Sequence, residues 1–245
     1  MDYKVGFATD VGRKRNQNQD SGAALPDLGL FIVADGMGGH QGGETASSTS
    51  VEVIANHIRK ACKSSKWDPK RVLVDAIEAA NAVIFHRASE EPKLQGMGTT
   101  TTALLFKNNQ LTIGHVGDSR CYFTRPNALW QATRDHSLVQ EKLRAGLITR
   151  DEVKTDRMKN VITRSVGFEP RVNVEIYQME VQSGDCFLIC SDGLSGLVED
   201  QQLLEILQKD LYEKGDIQET VNDLVAAANE NGGDDNITTL IVQLE

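Results

Sequence analysis

Four aspartates stand where apolar, strand-like runs of this chain begin or end, and together they could do the chemistry of hard cations. Leu30-Phe31-Ile32-Val33-Ala34 leads into Asp35-Gly36, and Phe187-Leu188-Ile189-Cys190-Ser191 leads into Asp192-Gly193. The run from Leu111 to Val116 leads into Gly117-Asp118, while Asp235-Asn236 opens the run from Ile237 to Val242. A buried strand holds the carboxylate at its mouth with little freedom. Several mouths converging would make an oxygen-rich cage for Mg²⁺ or Mn²⁺. Taken singly, Asp-Gly is also the commonest short hairpin signal, because both residues tolerate positive φ. The metal reading therefore depends on what accompanies the four sites.

The companions are specific. Arg15-Asn16-Gln17-Asn18-Gln19-Asp20 sets a guanidinium five residues from a carboxylate, where Arg15 could grip a pair of phosphate oxygens. Read alone, the same segment is a polar hairpin. Asp35-Gly36-Met37-Gly38-Gly39-His40-Gln41-Gly42-Gly43-Glu44 lacks the Gly-Lys-Ser/Thr of a phosphate loop and the dinucleotide glycine fingerprint. Its glycines would let backbone carbonyls approach a cation, and His40 could give a proton to a leaving group. Met97-Gly98-Thr99-Thr100, Gly117-Asp118-Ser119-Arg120 and Thr133-Arg134-Asp135-His136 complete the set. Thiol chemistry on phosphate needs an arginine six positions after the cysteine. Six positions after Cys62, Cys121, Cys186 and Cys190 stand Asp68, Asn127, Asp192 and Gly196, so the cysteines read as small core residues.

The elements that must position these groups follow from periodicity. Val51, Ile54, Ala55, Ile58 and Cys62 fall at helical spacing, as do Leu73, Ala76, Ile77, Ala80 and Ile84, with Pro69 opening the second helix. Strands are predicted over Thr99 to Phe106, Leu111 to Val116 and Cys121 to Thr124, then over Val172 to Met179 and Asp185 to Ser191. Between them lies a polar helical insertion from Ser137 to about Lys159. Helices are predicted from about Asp200 to Gln208 and from Ile217 to Asn229. Strands and helices come in blocks, which points to an α+β fold with antiparallel sheets.

Composition narrows the function. The 245 residues carry a net charge of −9 and show no basic stripe, which argues against nucleic acid as a partner. An acidic protein also repels a phosphate ester unless bound cations invert the field locally. No apolar run approaches a membrane span, and Met1-Asp2-Tyr3-Lys4 is no signal peptide, so no membrane partner and a cytoplasmic location are expected. The absence of a C-x-x-C pair fits a reducing compartment.

The motifs, in order from position 12 to 238, resemble the metal-dependent serine/threonine protein phosphatase family (type 2C) in its compact bacterial form. They are the Arg15–Asp20 segment, the Asp35–Glu44 loop, Met97–Thr100, Gly117–Arg120, Thr133–His136, Asn160-x-Ile162-Thr163-Arg164-x-x-Gly167, Ser191-Asp192-Gly193 and Asp235-Asn236-x-Thr238. The resemblance implies one catalytic domain over 1–245, built as a four-layer α-β-β-α sandwich, two stacked antiparallel sheets flanked by helix pairs. It implies two Mn²⁺ or Mg²⁺ ions held by Asp35, the Gly36 carbonyl, Asp192 and Asp235. A third, weaker ion would lie at Asp118 and Asp192, and Asp20 would lie in or beside the ligand shell. Arg15 would bind the substrate phosphate, and the stretch from about 145 to 165 would form a flap beside the site. The activity implied is hydrolysis of phosphoserine and phosphothreonine by a hydroxide that the metals share. The substrates implied are phosphoproteins made by a serine/threonine kinase, acted on by a monomer. A weakly active phosphoprotein-binding relative and a small phosphate-ester hydrolase are the alternatives. Eukaryotic relatives carry a histidine directly after Asp-Gly, where this chain has Met37 and places His40 later; its flap reads Lys154-Thr155-Asp156-Arg157 where relatives often carry His-Pro.

Overall fold

A computed structural model describes residues 2–39, 41–64 and 66–245. The chain opens with β1 (Tyr3–Asp10), β2 (Asp20–Leu25) and β3 (Leu30–Met37), followed by α1 (Gly42–Ala61) and α2 (Pro69–Glu90). A strand block comes next: β4 (Gly98–Thr99), β5 (Thr101–Lys107), β6 (Gln110–Val116), β7 (Arg120–Arg125) and β8 (Ala128–Gln131). The insertion holds α3 (Leu138–Arg144) and α4 (Arg150–Thr155). Then follow β9 (Glu175–Glu180), β10 (Cys186–Cys190), α5 (Asp192–Ser195), α6 (Asp200–Ile206), α7 (Ile217–Glu230) and β11 (Ile237–Leu244).

All the pairings are antiparallel. One sheet runs β1-β11-β10-β7-β8, the other β2-β3-β5-β6-β9 with β4 set against the end of β3. Period-two alternation sorts the side chains of each strand into separate cores. Phe31, Val33, Leu104, Phe106 and Ile113 from one sheet meet Phe187, Ile189, Leu240 and Val242 from the other between the sheets. Leu30, Ile32, Ala103 and Leu105 face the opposite way and pack on Ile54 and Ile58 of α1 and Leu73, Ile77 and Ile84 of α2. On the far side, Leu188, Ile237 and Ile241 pack on Leu203, Val221 and Leu224 of the last helices. Strands buried on both faces read as unbroken apolar runs, which is why β3, β6, β10 and β11 were legible. The four-layer α+β sandwich is the architecture expected.

Some local expectations change. Asp35-Gly36 is no turn: β3 continues through it, with Gly36 opposite Thr99 and Met37 opposite Gly98. Asp192-Gly193 opens α5 instead of turning a hairpin. Cys62, expected in the core, is exposed, because it caps the C-terminal end of α1 beyond the packed face. α1 also begins earlier than its apolar stripe, and its first turns bury Gly42, Gly43, Ala46, Ser47 and Ser50. The helix after Asp200 runs on as a π-helical stretch, Leu207–Glu213, past the predicted end at Gln208.

Candidate active site

Both sheets deliver aspartates to one end of the sandwich. In the first hairpin Asp20 on β2 pairs directly with Asp35 on β3. From the other sheet, Asp192 follows β10 and Asp235 precedes β11, two neighbouring strands. Asp118 lies in the turn between β6 and β7. Asp35 and Asp192, delivered by opposite sheets, are neighbours, with Asp20 and Asp118 beside the former and Asp235 beside the latter. At the rim the half-exposed Arg15 donates from Nη2 to Asp235 Oδ2 at 2.7 Å.

Each of these positions has its own support. Asn236 clamps the loop that carries Arg15: its Oδ1 accepts from Gln19 N at 2.8 Å, and its Nδ2 donates to Val11 O and Gln17 O, both at 2.9 Å. Its backbone N–H donates to Asp235 Oδ1 at 2.9 Å. Ser191 Oγ donates to Asp20 Oδ2 at 2.7 Å and accepts from Thr238 N at 2.9 Å. The Thr99-Thr100 pair holds Asp35 by its backbone: Thr99 Oγ1 donates to Asp35 O at 2.8 Å, and Thr100 Oγ1 accepts from Asp35 N at 2.9 Å. Two glycines are required by close approach. A Cβ on Gly36 would stand 2.1 Å from Gly43 O, and one on Gly193 would stand 1.9 Å from Asn236 O.

Electrostatics mark the cluster. Burial pushes Asp20 up to about 7, aided by the charges of Asp192 and Asp235 and opposed by hydrogen bonds from Ser191 and Thr238. Burial, then Asp192 and Asp135, pushes Asp118 up to about 8. Asp35 and Asp192 are raised as well, first by burial and then by their neighbours: Asp20, Asp192 and Asp118 for the former, Asp235 for the latter. Asp20 Oδ1, Asp118 Oδ1 and Asp192 Oδ1 are buried with no hydrogen-bond partner. Two guanidiniums stand nearby, and both are engaged: Arg15 by Asp235 and Arg120 by Asp135. Buried carboxylates so crowded must either keep protons or meet cations, and an all-oxygen donor set suits hard divalent ions. The residues fit Mn²⁺ or Mg²⁺.

The cluster is wide. Among the described residues, the trio of acidic groups whose oxygens lie within 4.8 Å of one another is instead Asp210, Glu219 and Asp223, on the helical segments that precede β11. That trio already has its cation, since Lys214 Nζ lies 2.7 Å from Asp210 and 3.1 Å from Glu219. The wider spread of the five aspartates suits a cavity for more than one ion, with carbonyls and water completing each shell.

Of the residues expected from sequence, Arg15, Asp20, Asp35, Gly36, Asp118, Asp192 and Asp235 come together at this end; His40 lies outside the described residues. The insertion between β8 and β9 is anchored at both ends. Ser137 pairs with Ile162 and Thr99 with Val166, so both ends of the insertion are tied beside the aspartates. His136 sits at that root, accepting at Nδ1 from Gly117 N at 3.1 Å and donating from Nε2 to Glu175 Oε2 at 2.9 Å. Sequence reasoning missed the supports Asn236, Ser191 and Thr100 as individual actors, although each lies within a motif that it had marked.

Comparison with known proteins finds relatives over nearly the whole chain. The family model described as Protein phosphatase 2C matches residues 12–241. The serine/threonine phosphatase stp of Listeria monocytogenes is 37% identical over 97% of this chain and 94% of that protein. The crystal structure of the Mycobacterium tuberculosis serine/threonine phosphatase PstP/Ppp superposes with a TM-score of 0.91 at 35% identity, covering 100% of both chains. The catalytic domain of PstP in complex with two manganese ions gives a TM-score of 0.88 at 35% identity, over 99% of this chain and 98% of that one.

Proposed function

The chain belongs to the protein phosphatase 2C family and is a metal-dependent serine/threonine protein phosphatase, and from that premise we propose how its own residues carry the reaction. Asp35, the Gly36 carbonyl, Asp192 and Asp235 would hold two Mn²⁺ or Mg²⁺ ions, Asp118 and Asp192 would hold a weaker third, and Asp20, with its buried Oδ1 unpartnered, would lie in or beside the ligand shell. When bound, such ions polarise phosphoryl oxygens and lower the pKa of water toward neutrality, supplying electrophile and nucleophile together. The observation that carries this reading is the set of buried, unpartnered carboxylate oxygens on Asp20, Asp118 and Asp192.

Arg15 receives the phosphate. Its Nη2 is pinned by Asp235, which orients the planar fork and leaves its other N–H groups for phosphate oxygens at the rim. In-line attack by water transfers the phosphoryl group directly: the O–P bond to water forms as the bond to the serine or threonine oxygen breaks. No side chain needs to become phosphorylated. Ser191 Oγ is committed to Asp20 and Thr238, and burial pushes the Cys121, Cys186 and Cys190 thiols up, out of nucleophilic reach. His40 gives the proton to the leaving oxygen.

The substrates in this reading are phosphoproteins made by a serine/threonine kinase, and the 245 residues act as one catalytic domain and a monomer. Four free cysteines suit the reducing cytoplasm. No helix among the described residues is long and apolar enough to cross a membrane. The test is hydrolysis of a phosphothreonine peptide and of an aryl phosphate with Mn²⁺, with Mg²⁺ and with chelator. Peptide turnover that needs the cation and is lost in Asp35→Asn supports the assignment; turnover in chelator overturns it. A pH profile unaltered in His40→Ala removes His40 from the mechanism.

A further inference from the structure

Arg120 brings a guanidinium to the edge of the aspartate cluster, where it could compete with a cation. It opens β7 two residues after Asp118, and it sits opposite Cys190, itself two residues before Asp192. Asp118, Arg120, Asp135 and Asp192 line one cavity of about 490 Å³ between the cluster and the flap. An unrestrained guanidinium in that wall has partners within easy reach. Arginine forks onto carboxylates readily, and Asp118 Oδ1 is buried there without a hydrogen bond.

The guanidinium is instead held by a different set of partners. Its Nε donates to both oxygens of Asp135 at 3.0 and 3.1 Å, and its Nη2 donates to Asp135 Oδ2 at 2.8 Å. Nη1 donates to the Tyr122 hydroxyl at 3.1 Å, which in turn donates to Asp200 Oδ1 at 3.2 Å. Asp135 is itself buried and braced by Gln131 Nε2 at 2.7 Å. Nothing in the hydrolytic chemistry described above uses these groups.

We propose that Asp135 is a positioning residue for cation binding: by forking onto Arg120 it keeps that guanidinium off Asp118 and Asp192, leaving their carboxylates free for the weakest-bound ion. This rests on the assignment of Asp118 and Asp192 to that ion. The fixed charge of Arg120 has a second effect. Standing in a wall of low dielectric, it opposes a nearby divalent cation even when held away, so it keeps this ion exchangeable.

The two members of the pair therefore have opposite effects. In calorimetric titration of the full chain with Mn²⁺, without substrate, Asp135→Asn weakens the weakest binding step by on the order of tenfold. Arg120→Met tightens the same step, and the double variant behaves like Arg120→Met because no guanidinium remains to be held. Circular dichroism in chelator checks the folding of each variant; should Asp135→Asn not fold, Asp135→Glu, which keeps the charge but displaces the fork, is read by the same criterion. Equal losses from Asp135→Asn with and without Arg120, or weakening by both single variants, would overturn the proposal. Asp118→Asn separates the two levels of inference. If it removes the weakest step while Asp135→Asn leaves that step alone, only the positioning role fails. If it changes no step, the assignment of Asp118 to an ion fails, and the proposal with it.

Discussion

Asp35 and Asn236 do different work at the same site, and substitution separates them. Asp35 faces carboxylates from both sheets, so Asp35→Asn removes charge at the centre of the cage while preserving shape. The expected loss in kcat is on the order of 10³-fold or more, measured with an aryl phosphate at saturating Mn²⁺. Asn236 touches no substrate in this reading, yet its amide ties Val11, Gln17 and Gln19 to the strand that carries Asp235. Asn236→Ala leaves those backbone groups short of partners, and an unfolding free energy lower by about 2–4 kcal/mol, measured by denaturant titration, is expected. The same variant should lose 10- to 100-fold in Mn²⁺ affinity, roughly the cost of removing an outer support of a metal site. Unchanged stability would show that the loop is held elsewhere.

The chain leaving the flap is tied back onto the helices by one side chain. Asn81 on α2 accepts from Gly167 N at 2.6 Å and donates to Glu169 O at 3.0 Å, just beyond the Thr99–Val166 pairing. The sequence shows α2 as an apolar stripe, and its one buried amide is invisible to that pattern. Asn81→Ala should cost about 1–3 kcal/mol and speed proteolysis within 145–165. KM for a phosphoprotein should rise more than KM for an aryl phosphate, because only the larger substrate needs the flap in place. Equal KM changes for both would place the effect in the aspartate cluster instead. At this scale the apolar runs were legible because burial on both faces leaves no alternation to misread. The start of α1 was not, since it packs by glycines and hydroxyls: Ser47 Oγ donates to Gln19 O at 2.6 Å, and Ser50 meets Thr101 at 2.8 Å.

Across the whole molecule, buried titrating groups pull stability in opposite directions with pH. Asp20 and Asp118 bind protons in the fold up to about 7 and about 8, whereas in the unfolded chain they release them near the ordinary aspartate value of 3.8. Without cation, their contribution is fully present below about 4 and is lost as pH rises through about 8. His115 acts in reverse. Burial, then the neighbouring His136, holds it neutral down to about 4, with Thr102 and the Arg134 carbonyl on its two nitrogens. Its contribution is present above about 6.5 and is lost as pH falls through about 4. Cations that replace protons on the aspartates should therefore raise Tm more at pH 8 than at pH 5.5. Thermal unfolding in Mn²⁺ and in chelator at both values measures this. A rise independent of pH would mean that the ions bind away from these carboxylates.

The sequence by itself determined the layers of the fold and which residue types reach the site. Strand runs, helix stripes and the aspartates beside them are local patterns, and burial on one or both faces writes them directly into residue order. Only the tertiary structure decided how those aspartates meet. Asp20 and Asp35 arrive through one hairpin's register, Asp192 and Asp235 through two adjacent strands of the other sheet, and contact between them depends on how the sheets stack. The same holds for the Arg120–Asp135 fork and the Asn236 clamp. Their partners lie 15 residues apart for the fork and about 220 for the clamp, a pairing set by packing that no local spacing encodes.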